Sequence, residues 1–218
     1  MRMRVALLGL GVALACQGPE GVFNKPMMEE SYNRFYFESY VKMAARLSRH
    51  TDDEGIMLSG TAPDGTPGLD LNGVLWALSG VETSFGRNAQ QTRYESAYGR
   101  NGRYSSEDLI ASYGDHAAMS YGPWQIMFVN AYDALNGFVR PAELTGITYP
   151  AMGATVMFLD NRVIDRGADT LEKIADAWNT GSHRDSIRPS ARYLRDVETY
   201  YNEWCAANPR KQKQTFRA

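Results

Sequence analysis

The chain is poor in cysteine and histidine. Cys16 and Cys205 are its two thiols, and His50, His116 and His183 its three imidazoles. The histidines show no His-x-x-x-His spacing and no neighbouring carboxylate cluster, so a two-histidine metal site has no ligand set. No G-x-S-x-G elbow is present, which removes that route to nucleophilic hydrolysis. Neither sign of charge dominates, with a formal net charge of −2. No basic stripe interleaved with aromatics occurs, so the footprint of a nucleic-acid binder is missing. There is no internal repeat or low-complexity tract, and no cofactor or metal is expected. Aromatics are plentiful instead, with 13 Tyr, 8 Phe and 4 Trp. Such rings fill cores. Tyr and Trp also suit a sugar-binding groove, because their faces stack on sugars while their edges hydrogen-bond.

One apolar run stands apart at the start. Met1-Arg2-Met3-Arg4 forms a basic n-region, and residues 5–15 form an apolar h-region too short to span a bilayer. Ala13-Leu14-Ala15 reads as a cleavage site followed at once by Cys16. A signal peptide over residues 1–15 is therefore expected, with an exported, periplasmic or secreted protein behind it. Cys16 reads in two ways. It resembles the acylated cysteine of a bacterial lipoprotein, which would anchor the chain to a membrane, or it pairs with Cys205. Residues 16–26 read as a polar linker, 27–208 as one domain, and 209–218 as a basic tail. A monomer is expected.

The domain reads as mainly α, with at most a small β element near residues 90–104. Residues 27–50 suit a helix whose face is Tyr36, Tyr40, Met43 and Leu47. Residues 51–68 read as a loop; Asp52, Asp53, Asp64 and Asp70 match no EF-hand spacing. Asp70 is a helix cap. Leu71, Val74, Leu75, Leu78 and Val81, widened by Trp76 and Ala77, predict a helix buried nearly all round. It closes on Glu82 at the border of a polar turn. Residues 92–98 suit a short strand or extended arm, and Ser105 caps a brief helix. Gly122-Pro123 predicts a turn followed by a helix with Gln125 in its first turn. Three more helices follow, opened by Pro150, Asp169 and Pro189.

Four stretches stand in order: Glu82-Thr83-Ser84-Phe85, Gly122-Pro123-Trp124-Gln125-Ile126, Ala177-Trp178-Asn179-Thr180-Gly181, and Tyr193 with Val197 and Tyr200. This order resembles the lysozyme-like superfamily that includes soluble lytic transglycosylases and goose-type lysozymes. The family pattern is E-S-x-F, G-x-M-Q-I, A-Y-N-x-G, and a last helix with Y and V. The resemblance covers roughly residues 70 to 204. It implies a lysozyme-like helical domain with Glu82 as catalytic acid. It also implies a groove formed by Thr83, Ser84, Gln125, Ile126, Asn179 and Tyr193, with Gly181 as turn glycine. Thr83 stands for Ser, Trp124 for Met and Trp178 for Tyr. The gap between Glu82 and Gln125 is longer than in the simplest members. It holds Arg93-Tyr94-Glu95, similar to an R-[FY]-E element of some muramidases.

The implied substrate is peptidoglycan, cut at the β-1,4 bond from N-acetylmuramic acid to N-acetylglucosamine. A lytic transglycosylase would use Glu82 alone and leave a 1,6-anhydro end. A muramidase would add a second carboxylate, Glu95 or Asp115, to hold a water. A non-catalytic peptidoglycan-binding protein is the third reading.

Overall fold

Over the described residues the chain folds mainly as helices with two small antiparallel sheets. The structure is a computed structural model that describes residues 34–180 and 189–209. Cys16, Gly181, His183, the signal-peptide and linker segments, and all but Pro209 of the tail lie outside the described residues. Among the described residues, no helix is long and apolar enough to cross a membrane.

Helix α1 (Arg34–Leu47) buries Phe37, Tyr40, Val41, Ala44 and Ala45. Of the predicted face only Tyr40 is inside; Tyr36, Met43 and Leu47 are exposed. The helix is rotated because small Ala44 and Ala45 admit close neighbours, while Tyr40 donates its hydroxyl to the Thr148 carbonyl at 2.6 Å. Just beyond α1, buried Asp160 accepts from the Ser48 hydroxyl at 2.6 Å and the Arg49 N–H at 3.0 Å.

Residues 51–68, expected as a loop, contain most of a hairpin. Strands β1 (Ile56–Thr61) and β2 (Pro67–Asp70) pair antiparallel with a register shift between Met57 and Thr61. The shift breaks the alternation by which a strand is recognised. Asp52 and Asp64 act as turn residues, their carboxylates accepting from the N–H groups of Glu54 and Ile56, and of Thr66.

Helix α2 (Leu71–Thr83) is the centre of the core, with every residue from 71 to 80 buried. The carboxylate of its N-cap, Asp70, accepts from the N–H groups of Asn72 and Gly73. It also accepts from the Trp204 indole at 3.1 Å, on the far end of the chain. Helix α2 tolerates two glycines because they face a neighbour. A Cβ at Gly73 would stand 2.9 Å from the Trp204 ring, and one at Gly80 2.6 Å from Phe85 and 2.7 Å from Tyr200.

The second sheet runs β3 (Arg93–Tyr94), β4 (Met119–Tyr121) and β5 (Ile126–Met127), in that order. It includes the β element expected near residues 90–104 and extends past it. Helix α3 (Glu107–Tyr113) lies between its strands, with Ser106 rather than Ser105 at the cap position. Helices α4 (Phe128–Ala134) and α5 (Tyr149–Phe158) close a second, smaller core around Tyr121, Ile126, Phe128 and Leu144. Helix α6 (Leu171–Thr180) is capped by Thr170, one residue after Asp169; the Thr170 hydroxyl oxygen accepts from the Lys173 N–H. Asp169 pairs with the Lys173 ammonium instead. Helix α7 (Ala191–Ala207) is capped by Ser190, with Pro189 just ahead of the cap. Its Val197, Tyr201 and Trp204 are buried against α2.

Asp70 thus caps one helix and anchors another. Asp70→Ala should cost roughly 2–4 kcal/mol, combining a lost cap with an orphaned buried indole N–H. Asp70→Asn, which keeps an acceptor, should cost less. Urea unfolding with unchanged m-value checks this, and a loss below about 1 kcal/mol for Asp70→Ala would remove the anchor from this account.

Candidate active site

Glu82 occupies the penultimate position of α2, where a buried helix reaches the surface. Its side chain is only 7% exposed. The chain then leaves the helix through three left-handed residues, Ser84 (φ 52), Phe85 (φ 61) and Gly86 (φ 79). A left-handed Phe is costly and persists only where its surroundings hold it. Phe85 is held by stacking on Trp76 at 4.6 Å and by an edge contact with Tyr200 at 4.8 Å. The ring folds back over Gly80, where any side chain would collide with it.

Three groups face the Glu82 carboxyl. Tyr193, on α7, donates its hydroxyl to Oε1 at 3.0 Å. Arg93, on β3, brings Nη1 to 3.8 Å from Oε2, while its Nε donates to Glu95 Oε1 at 2.5 Å. Arg93 and Glu95 share one side of an extended segment because they are two residues apart. One planar guanidinium lies between both carboxyls, so the two carboxylate oxygens lie within about 9 Å of each other.

Burial raises the Glu82 pKa, and Glu95 adds to the rise; Arg93 and the Tyr193 hydrogen bond oppose it, and the net direction is upward. The α2 C-terminus reinforces the rise, because helix C-termini disfavour anions. Burial, then the neighbouring Glu82 charge, push the Tyr193 phenol well above its ordinary value. Tyr193 therefore stays a hydrogen-bond donor.

The polar turn of residues 122–125 ties these parts together. It is the loop of the β4–β5 hairpin, since Tyr121 pairs with Ile126. The expected helix at this point begins only at Phe128. Gln125 adopts φ 51, a left-handed conformation that no first helical turn contains. Its amide carbonyl accepts from the Ser120 hydroxyl at 2.9 Å, and its NH2 donates to the carbonyls of Gln91 and Gly122. The amide expected to meet a sugar is spent on bracing the turn against the segment that leads into Arg93. Thr83 is buried; its hydroxyl sits 2.6 Å from the Pro123 carbonyl and accepts from the Gly86 N–H. Trp124 is buried, donates to the Leu75 carbonyl at 2.8 Å and stacks on Tyr40. Its own carbonyl accepts from the Trp178 indole at 3.2 Å.

The four sequence stretches therefore meet through hydrogen bonds: Glu82 with Tyr193, Thr83 with Pro123, and Trp124 with Trp178. Ser84 and Asn179 are exposed, Asn179 joining the group through its neighbour Trp178. Ile126 is buried in the smaller core. Asp115 is exposed in the short turn Gly114–Ala118 and is not among the groups that act on Glu82. Glu95 is among them. Arg93 was missed as a site residue, although its place two positions before Glu95 was a usable signal.

Other polar features serve elsewhere. A cavity of about 360 Å³ is lined by Pro63, Leu171, Leu194 and Val197 together with Glu172 and Glu198; none of the sequence-predicted site residues lines it. His50 lies 3.0 Å from Asp165, and His116 Nδ1 2.7 Å from the Tyr121 hydroxyl. Among the described residues, no group of three His, Cys, Asp or Glu side chains could hold a metal ion. No family model, curated protein or solved structure matches the chain.

The raised Glu82 pKa makes a stability prediction. The folded state holds this proton more tightly than the unfolded one. Its contribution is full below the unfolded value of about 4.3 and is lost as pH rises through the folded value. Glu82→Gln cannot ionise and still accepts from Tyr193. It should resist urea better than the parent at about pH 8 and equally at about pH 4. Equal stability at both pH values would show that the carboxylate carries no burial penalty.

Proposed function

We propose that the protein is a peptidoglycan-cleaving lytic transglycosylase with a lysozyme-like domain, and that Glu82 is its single acid and base. The observation that carries this reading is a nearly buried carboxyl, raised in pKa, at the end of a rigid core helix and oriented by a phenol. Burial shifts such a group toward the protonated form that a general acid needs, at the point where a core helix meets the surface.

In the proposed reaction, protonated Glu82 gives its proton to the glycosidic oxygen as the bond to the muramic acid C1 breaks. Positive charge develops on the ring. The Glu82 carboxylate then takes the proton from the muramic acid 6-hydroxyl, whose oxygen bonds to C1. The products are a 1,6-anhydro end and a free 4-hydroxyl on N-acetylglucosamine. No water enters. Tyr193 holds Glu82 in one rotamer through both steps.

Glu95 favours this reading over a two-carboxylate hydrolase. Its Oε1 is engaged by the Arg93 guanidinium, a charge-assisted contact that competes with holding a water. The hydrolase reading keeps one observation in its favour. The limit of about 9 Å between the acids overlaps the roughly 6.5–9.5 Å of inverting glycosidases. An exported chain, as residues 1–15 lead one to expect, would meet this polymer outside the cytoplasm.

Digestion of purified sacculi followed by muropeptide chromatography tests the proposal. The expected products carry 1,6-anhydro ends; reducing ends would select the hydrolase, and saccular binding without release would select neither enzyme. Folded Glu82→Gln should lose about 10²–10⁴-fold in rate, the usual contribution of a general acid. Retention of near-full activity would sink the assignment.

A further inference from the structure

We propose that Glu95 is a positioning residue that acts on Glu82 through Arg93. The inference concerns what keeps the Glu82 carboxyl able to hold a proton, and its meaning for catalysis rests on Glu82 being the acid. A guanidinium beside a buried carboxyl is a threat to it. Closed to hydrogen-bond distance, the pair would fix Glu82 as an anion and leave no proton to donate.

The geometry shows the pair held open. Arg93 Nη1 stops 3.8 Å from Glu82, beyond hydrogen-bond range, whereas Nε sits 2.5 Å from Glu95. Glu95 is fixed in turn, because its backbone N–H donates to the Ala118 carbonyl at 2.8 Å. Arg93 is paired to Ser120 in the β3–β4 register, so its backbone cannot follow the side chain toward Glu82. Only side-chain rotation about the long Arg93 stem could close the remaining gap of about 1 Å to a charge-assisted bond. The Glu95 carboxylate opposes that rotation. The Arg93 side chain is 60% exposed, so neither core packing nor burial holds it in place. The charged and titratable groups facing Glu82 are Tyr193 from α7, and Arg93 and Glu95 from the arm that begins at β3. Tyr98 faces Glu95 from the next turn.

Glu95 also acts on Glu82 directly as a like charge, so the single variant does not separate the two routes. A double-mutant cycle does. The measurement is the protonation midpoint of Glu82 in the full chain, followed by NMR of carboxyl-labelled glutamate, with Glu82→Gln assigning the signal. Arg93→Gln should raise the midpoint. Glu95→Gln should lower it, by releasing Arg93 onto Glu82. In the Arg93→Gln background the effect of Glu95→Gln should shrink to less than half. Equal shifts in the two backgrounds would mean a direct charge effect only and overturn the proposal, as would no shift in either.

Glu95→Asp, which keeps the charge and shortens the reach, should lower the midpoint less than Glu95→Gln; an unchanged midpoint would count against the grip. These titrations need no substrate. A protein with the expected midpoints and no action on sacculi would sink the proposed function and leave this inference standing. The converse result would do the opposite.

Discussion

The closeness of α2 to α7 governs where the Glu82 carboxyl can sit. Two glycines, Gly73 and Gly80, lie seven residues apart on the same side of α2, and each leaves room for an aromatic ring. In a helix interior each glycine sacrifices about 1 kcal/mol of helix propensity relative to alanine. That loss is offset by ring packing at Trp204, Tyr201 and Tyr200, and by the Asp70 link to Trp204. With the two helices this close, Tyr193 reaches Glu82 from a neighbouring backbone. A wider spacing would leave the phenol short of the carboxyl.

The opposite wall depends on a turn. Residues 122–125 contact α2 through Pro123 and Trp124, α6 through Trp178, and the approach to β3 through Gln91. Each contact uses a backbone carbonyl or a turn side chain, so the turn is a polar hub surrounded by apolar packing. Buried polar groups left half-satisfied would be costly, and here nearly all find partners. The consequence reaches Glu82 indirectly. By fixing Gln91, the turn fixes the start of β3 and with it the direction from which Arg93 approaches.

How much of this was legible in the sequence varied with the range of the interaction. Asp70 as a cap and the all-round burial of α2 follow from local pattern, and both hold in the structure. The resemblance carried by the four stretches implied that Glu82 and Tyr193 share one site, and they are hydrogen-bonded. Tertiary contacts decided the rest. The face of α1 was misjudged because Ala44 and Ala45 carry little hydrophobic signal yet are fully buried. The 56–70 hairpin was hidden by its register shift. Gln125 was placed on a helix because Gly-Pro starts helices as well as turns. Only the pairing of Tyr121 with Ile126 makes it a left-handed hairpin residue, and that pairing is not visible in the local string.

The charge balance at Glu82 follows from having both walls at once. A carboxyl that is merely buried would be locked neutral, able to donate a proton but reluctant to accept one as an anion. A carboxyl closed on arginine would be locked ionised. Acid–base work in sequence needs neither state to be favoured too strongly. Burial and the α2 terminus favour the neutral form, while Tyr193 and a distant Arg93 favour the anion. Tyr193 contributes through a hydrogen bond from the helical wall, and Arg93 through charge from the sheet wall. The two opposing influences come from different parts of the fold. Each is therefore set by its own scaffold, α7 for the phenol and the braced β3 arm for the guanidinium. The arrangement can be tuned on one side without disturbing the core that positions the carboxyl.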